Sequence, residues 1–190
     1  MLWFYKLFFP IVWIAYIVYW RIAARSVKTN QRLESTPSQA TRTVAILIAV
    51  VLMLLPGIPI PWLYQHFLPA PLACFWIGAA ITVAGLLFSI WARVHIGQNW
   101  SSAVTIKQDH ELITSGPYAL VRHPIYTGLL TAFLGTAIAL AQYRGLLAFA
   151  LVFFALWYKL RLEEKWMRSQ FGDTYIAYSR RTAALVPFLL

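Results

Sequence analysis

The sequence contains few acidic residues and almost no cysteine. Its 190 residues include six Asp and Glu against sixteen Lys and Arg, which gives a formal net charge of +10. Cys74 is the single cysteine, so an intrachain disulfide and a cysteine-based metal site are both excluded. We therefore expect neither a disulfide nor a bound metal in this protein.

Charged residues of either sign are scarce. Only 12% of the residues are charged and 61% are apolar, whereas about one quarter of the residues in a soluble domain are charged. Residues 43–92 contain no Asp, Glu, Lys or Arg. Much of the surface must therefore face something other than water. We predict an all-α fold, a polytopic membrane helical bundle that forms one integral membrane domain over residues 1–190.

Apolar runs predict about five transmembrane helices, since a span needs about 20 apolar residues. The runs cover residues 2–20, 43–56, 72–92, 122–144 and 145–158. Pro and Gly cluster within residues 56–71 and predict a turn between spans two and three, while residues 35–38 read as a loop. Spans four and five are expected to turn at residues 142–145, and residues 159–171 to continue span five as a charged helix.

Basic residues lie between the apolar runs, mainly in residues 21–42, 93–122 and the C-terminal tail. The positive-inside rule then predicts a protein of the cytoplasmic membrane with its N-terminus outside and its C-terminus in the cytosol. The first run lacks the basic region and cleavage site of a signal peptide, so we interpret it as a retained span. The sequence has no compact basic patch of the kind that binds nucleic acid. It also has no internal repeat of the kind from which transporters are built.

Residues 122–128, with the sequence Arg-His-Pro-Ile-Tyr-Thr-Gly, predict the start of a helix that can bind an anion. Pro124 suits the first helical turn, and His123 before it is forced out of helical geometry. The N–H groups at such a helix start attract an anion, and Arg122 strengthens the field. The alternative is structural, with Arg122 as a topology anchor and His123 at the membrane interface.

Two adjacent acidic residues, Glu163 and Glu164, lie on the helix that leaves span five. At 3.6 residues per turn, Glu163 falls inside the apolar stripe, where Lys159 one turn earlier is a candidate partner. A carboxylate on an apolar stripe near a membrane is a candidate functional residue. Glu164 falls at the rim of the stripe, where a surface ion pair with Arg168 is expected.

Together with the turn-rich loop over residues 107–118, these segments match the chemistry of S-adenosylmethionine. The helix start suits its carboxylate, an acidic residue suits its cationic group, and an aromatic and apolar loop suits its planar ring. A solvated connector is the alternative interpretation of the loop. The sequence has no Gly-rich strand–helix signature, which excludes a Rossmann-type methyltransferase.

From residue 97 onward the sequence resembles the isoprenylcysteine carboxyl methyltransferase family, which is related to the phospholipid methyltransferases. The likeness covers roughly half the chain. It rests on GQNWS at 97–101, HELITSGPY at 110–118, RHPIYTG at 122–128, the pair Glu163-Glu164, and FGDTYIAY at 171–178. The Arg-His-Pro element followed by a Glu pair is specific in combination, whereas the first half of the chain is generic apolar helix.

The resemblance implies a membrane enzyme that binds S-adenosylmethionine from the cytosolic side and methylates the carboxylate of a lipid-like, isoprenylcysteine-type acceptor. Residues 97–190 would form the cofactor-binding and catalytic half with spans four and five, and residues 1–96 would form spans one to three. The acceptor would enter laterally from the membrane lipid.

The resemblance also implies which residues form the site. The cofactor pocket would be lined by His110, Leu112, Gly116, Tyr118, Arg122, His123, Pro124, Tyr126 and Gly128. Glu163 and Glu164 would be catalytic residues of the same site. Family members often carry an Arg four residues before the Glu pair, where this chain has Lys159, with Arg161 nearby. Either cation is therefore a candidate for orienting the acceptor.

Two other functions fit the same sequence. One is phospholipid (ethanolamine) N-methylation with the same fold and cofactor. It needs a base to deprotonate the ammonium, which His123 or Glu163 could supply. The other is a non-enzymatic membrane assembly or carrier protein. That alternative explains the spans and basic loops but leaves the ordered set of family segments unexplained.

Overall fold

A computed structural model describes residues 2–25, 30–33, 35–54, 57–69, 72–100, 105–107 and 111–187, with backbone only for 2–6, 30–33 and 105–107. Helices account for most of this part of the chain, which confirms the all-α prediction. They are α1 (Leu2–Ala23), α2 (Thr36–Leu54), α3 (Leu72–Ile96), α4 (Pro117–Leu120), α5 (Pro124–Leu140) and α6 (Tyr143–Arg181). Two short 3₁₀ turns, Pro61–Tyr64 and Gly97–Asn99, precede and follow α3.

Within the described ranges, three helices are long and apolar enough to cross a membrane. They are Thr36–Leu54, Leu72–Asn99 with its 3₁₀ extension, and Tyr143–Arg181. Leu7–Ala23 and Pro124–Leu140 are shorter apolar helices. Large apolar side chains point outward along the helices, for example Ile14 on α1 and Leu87 on α3. Such a continuous apolar exterior is typical of contact with lipid, and the count of five spans stays a prediction.

Helices α3 and α5 run antiparallel and approach closely at glycines. Gly85 faces Gly128, and a Cβ added at either position would lie 2.5 Å from the carbonyl oxygen of the other. Gly78 faces Gly135 two helical turns further along the same contact. Small residues at such positions let membrane helices pack backbone to backbone. This contact fixes the start of α5, where the predicted site begins.

Helix α2 packs along α6 in the opposite direction. Arg144, at the start of α6, donates from Nη1 to the carbonyl oxygen of Leu52, near the end of α2, at 3.3 Å. The buried face of α2 carries Arg42, Ala49, Leu52 and Met53. Because both helices rise equally per residue, the start of α2 lies level with the middle of α6, near the end of the apolar part of that helix.

Two helix boundaries differ from the sequence prediction. Helix α2 begins at Thr36, so the predicted loop over residues 35–38 is wrong from its second residue onward. Pro37 explains this, because proline is favoured in the first helical turn. Helix α6 continues to Arg181 although Gly172 interrupts it with φ 51°. The predicted break at Gly172 therefore exists, but the helix resumes after it.

A small antiparallel sheet joins two connecting segments, which the sequence did not predict. Strand β1 (Asn30–Leu33) pairs with β2 (Thr105–Lys107). Strands of four and three residues are too short for an alternating pattern to emerge from the sequence.

Candidate functional site

The site begins at the entry to α5, where the chain turns sharply. His123 has φ −124° and ψ 61°, and the helix begins at Pro124, which confirms the predicted start. The backbone N–H groups of Arg122 and His123 donate to the carbonyl oxygens of Ala183 and Ala184 at 2.8 and 3.1 Å. The segment after α6 therefore returns to this turn and holds it in place.

Arg122 binds Glu164 in the interior beside this turn. Its Nε and Nη2 lie 2.8 and 2.7 Å from Glu164 Oε1. Its Nη1 donates to the carbonyl oxygens of Ser179 and Thr182. The expected pair of Glu164 with Arg168 exists at 3.7 Å, yet Glu164 is buried rather than exposed. The predicted surface position of Glu164 is therefore wrong. The residue can be buried because the Arg122 guanidinium supplies its carboxylate with two charged donors.

Glu163 accepts a hydrogen bond from Tyr126. The Tyr126 hydroxyl lies 2.6 Å from Glu163 Oε1. The same oxygen lies 3.7 Å from Nζ of Lys159, the partner predicted one turn earlier. Lys159 is buried, and its Nζ lies 5.3 Å from the centre of the Tyr126 ring. A carboxylate, a phenol and an ammonium therefore meet where α5 and α6 pack together.

The other candidate cation lies elsewhere on α6. Arg161 is exposed, and its guanidinium carbon lies 5.8 Å from the centre of the Trp157 ring. Of the two cations that the sequence left open, Lys159 is the one beside Glu163.

The His123 ring lies between the two carboxylates. Nδ1 is 3.5 Å from Glu163 Oε2, and Nε2 is 3.5 Å from Glu164 Oε1 without hydrogen-bonding geometry. The ring stacks on Tyr126 at 5.4 Å between centroids. Burial alone would lower the pKa of His123, but the adjacent carboxylates outweigh it and raise this pKa above its ordinary value. The imidazolium is therefore favoured.

A cavity opens beside these residues. Its empty space measures about 840 Å³, including the part open to solvent. Its walls are formed by Ile96, Asn99, Trp100, Glu111, Leu112, Ile113, Tyr118, Arg122, His123, Pro124, Ile125, Tyr126, Glu163, Met167, Tyr175 and Tyr178. Six predicted cofactor residues and Glu163 are therefore at one cavity. Burial and the charge of Glu163 raise the pKa of Tyr118, which keeps that hydroxyl protonated.

Among the described residues, the predicted cofactor residues Gly116 and Gly128 and the predicted catalytic residue Glu164 are not at these walls. Gly128 instead packs against Gly85, as described above. Gly116 has φ +59°, and a Cβ there would lie 2.7 Å from the His95 ring. Glu164 lies behind His123, paired with Arg122. His110 lies outside the described residues.

Nine of the sixteen wall residues were not predicted as site residues, Asn99 among them. Asn99 lines the cavity and is buried, and its Oδ1 has no hydrogen-bond partner in the part of the chain that the structure describes. Its only sequence signal was its place in the family segment GQNWS. Arg42 on α2 is buried, and its positive charge acts on the Tyr126 hydroxyl. Recognising Pro37 as a helix start would have placed Arg42 on the face shared with Ala49 and Leu52.

Comparison with known proteins identifies the family of the chain. The sequence model of the family described as phospholipid methyltransferase matches residues 73–174, more than half the chain. Protein-S-isoprenylcysteine O-methyltransferase B of Arabidopsis thaliana is 30% identical over 153 residues, which cover 76% of this chain and 73% of that protein. The Schizosaccharomyces pombe protein-S-isoprenylcysteine O-methyltransferase is 37% identical over 101 residues, 52% of this chain and 43% of that one.

A solved structure shows the same fold. The eukaryotic intramembrane Ras methyltransferase ICMT (isoprenylcysteine carboxyl methyltransferase) matches with a TM-score of 0.57 and 26% identity. The match covers 83% of this chain and 55% of that one, so the chain spans little more than half of the solved protein. Its apolar helices and this likeness identify an integral membrane protein. The chain belongs to the phospholipid methyltransferase family and is similar within it to the protein-S-isoprenylcysteine O-methyltransferases.

Proposed function

We propose that the protein is an S-adenosylmethionine-dependent carboxyl O-methyltransferase of the membrane, acting on a lipid-like acceptor of the isoprenylcysteine type. The observation that carries the proposal is the buried contact of Glu163 with Tyr126 and Lys159 beside the cavity. The names of the relatives support this function over amine methylation and over a non-enzymatic role.

The chemistry of the cavity walls fits S-adenosylmethionine. Asn99 Oδ1 and His123 Nε2 are buried polar atoms without hydrogen-bond partners, as expected at the wall of a polar ligand site. Glu163 offers a carboxylate to a cationic group, and Leu112 and Tyr118 offer apolar and aromatic surface to a ring. When bound, the cofactor supplies a methyl group on an electrophilic sulfonium.

The residues around Glu163 suit an anionic acceptor. A carboxylate is already ionised at neutral pH, because its pKa is about 4, so no residue has to remove a proton from it. Lys159 has three N–H donors and can contact Glu163 and an acceptor carboxylate together. Lys159 would hold the acceptor in line with the methyl donor and displace water from it.

We propose that the cavity faces the cytosol. Arg93, near the end of α3, donates to the carbonyl oxygen of Ala23, so the ends of α1 and α3 lie on the cavity side. Exposed basic residues follow on this side, among them Arg21, Arg25, Arg180 and Arg181. The positive-inside rule assigns such a side to the cytosol and the N-terminus to the outside. On this proposal, residues 97–190 form the catalytic half and 1–96 the supporting helices.

The test measures cofactor binding and methyl transfer on detergent-purified protein. Calorimetry with S-adenosylhomocysteine should show micromolar binding that Glu163→Gln weakens. Radiolabelled transfer should modify an S-farnesylcysteine derivative with a free carboxylate, but neither its carboxamide nor phosphatidylethanolamine. Tyr126→Phe should lower kcat/KM by about tenfold, the value of one charge-assisted hydrogen bond. The control Tyr158→Phe removes an exposed hydroxyl from α6 and should change nothing.

Two results would contradict the proposal. Folded wild-type protein that does not bind S-adenosylhomocysteine would exclude the cofactor. Transfer to phosphatidylethanolamine but not to the farnesylcysteine carboxylate would exclude the acceptor class and support the amine alternative.

A further inference from the structure

Asn99 ends the 3₁₀ turn that follows α3, and neighbouring contacts hold this turn firmly. Arg93 Nη1 donates to the carbonyl oxygen of Gly97 at 2.8 Å, and the Arg93 guanidinium lies 4.7 Å from the centre of the Trp100 ring. Gly97 adopts φ +56°, a conformation that glycine reaches without strain. Arg93 therefore contacts the chain on both sides of Asn99.

The Asn99 side chain is buried, yet its oxygen accepts no hydrogen bond. The residue is 9% exposed, and Oδ1 has no partner. A buried acceptor without a donor costs free energy, because water no longer satisfies it. Asn99 also lines the cavity. An unsatisfied, well-held acceptor at a cavity wall indicates that a bound molecule supplies the donor.

The wall around Asn99 differs from the wall around Glu163. Ile96 and Trp100 belong to the same stretch of chain as Asn99, and Leu112 and Ile113 join them from the next loop. The charged and titratable groups His123, Tyr126 and Glu163 come instead from the entry to α5 and from α6. Apart from the carboxylate of Glu111 on that loop, the wall formed by these segments is apolar and aromatic with one amide, which suits a planar base with a polar edge.

We propose that Asn99 Oδ1 accepts a hydrogen bond from the exocyclic amine of the adenine ring of S-adenosylmethionine. The inference rests on the proposed function, since it concerns the same cavity. Of the donors on this cofactor, the α-ammonium is charged and is better matched by the Glu163 carboxylate. An Asn amide pairs with the amine edge of adenine through one acceptor and one donor. Asn99 would therefore select adenine over other purines.

The test compares two nucleosides by calorimetry on the full-length protein in detergent. S-Adenosylhomocysteine carries the amine, whereas S-inosylhomocysteine carries a carbonyl oxygen in its place. Wild-type protein should bind the adenosyl compound about 10- to 100-fold more tightly, the range expected when a buried acceptor is left unpaired. Asn99→Ala should weaken the binding of the adenosyl compound, so that the affinities for the two nucleosides differ by no more than about threefold. Gln98→Ala, at an exposed position of the same turn, should keep the wild-type ratio.

The ratio separates recognition of the base from a general effect on the fold, which would weaken both nucleosides equally. Asn99→Ala protein that keeps the wild-type preference would overturn the inference. So would wild-type protein that binds both nucleosides equally, a result that does not depend on the variant folding. Wild-type protein that binds neither would overturn the proposed function itself.

Discussion

Arg122 and Glu164 form a buried ion pair across 42 residues of sequence, with both Nε and Nη2 of the guanidinium on one carboxylate oxygen. Their side chains are 10% and 8% exposed. Arg122 also donates to the carbonyl oxygens of Ser179 and Thr182. The pair thus joins the entry of α5, the middle of α6 and the segment that follows α6. The position of Glu163, the next residue, depends on this junction.

Glu164→Gln should destabilise the protein by about 3 kcal/mol, because removing one partner leaves the other charge buried without compensation. The measurement is urea or thermal unfolding in detergent at neutral pH. Arg168→Gln is the matched control. It removes the exposed partner at 3.7 Å and should cost less than about 1 kcal/mol.

A double-mutant cycle checks the cause of this destabilisation. Arg122→Met combined with Glu164→Leu should cost less than the sum of the two single substitutions, since neither charge remains. Costs that add would show that the two side chains stabilise the fold independently.

Local signals explain what could be predicted from the sequence. Proline acts on its own residue and on the one before it, so Pro124 was sufficient to place the start of α5 and to exclude His123 from the helix. The 3.6-residue period likewise placed Glu163 one turn after Lys159 on the stripe that becomes buried. These features depend on neighbours within one helical turn.

Contacts between distant segments explain what could not be predicted. The sequence predicted Glu164 at the surface, because its burial depends on Arg122. That residue lies at the entry of another helix, and the hydrophobic periodicity of α6 does not reveal the contact. Asn99 was not singled out because its unsatisfied oxygen exists only once the cavity walls have assembled. Arg42 falls in a segment whose basic residues indicate a polar connector, and Pro37 is the local signal that α2 begins before it.

Lys159→Met should raise the KM for the acceptor about 10- to 100-fold, the value of one charged hydrogen bond. Binding of S-adenosylhomocysteine should change by less than about threefold, since Lys159 is not part of the cavity wall. Lys159→Arg should recover most of the activity because it keeps a positive charge near Glu163. The measurement is methyl transfer at varied acceptor concentration.

Arg161→Met is the control for this experiment, because Arg161 is an exposed cation on the same helix. It should leave the KM for the acceptor unchanged. A larger effect from Arg161 than from Lys159 would reverse the assignment of the orienting cation.

His123 predicts a pH dependence of stability. Its pKa in the folded protein lies above the ordinary value, because Glu163 and Glu164 outweigh the effect of burial. The imidazolium therefore contributes stability that is fully present below about pH 6.5 and is lost as pH rises through the raised pKa. Unfolding measured from about pH 6 to pH 9 should show stability falling by at most about 1.4 kcal/mol per pH unit from this group.

His123→Gln should remove that part of the slope, whereas His66→Gln, at an exposed position, should retain it. The groups that face His123 are Glu163, Glu164 and Tyr126, and the two carboxylates remain ionised over this range. An unchanged slope in His123→Gln would mean that another group controls the pH dependence.

Gly128→Ala tests whether Gly128 serves helix packing or lines the cofactor site directly. The added Cβ would lie 2.5 Å from the carbonyl oxygen of Gly85, so α3 and α5 must separate, at a cost of about 1–3 kcal/mol. Leu134→Ala, at an exposed position of the same helix, should cost much less.

Unfolding temperature and S-adenosylhomocysteine affinity are measured on the same preparations. A lowered unfolding temperature with affinity largely retained at low temperature supports packing. An unchanged unfolding temperature with lost affinity would instead assign Gly128 to the cofactor pocket. Only a direct contact with the ligand lowers its affinity without lowering the stability of the helix bundle.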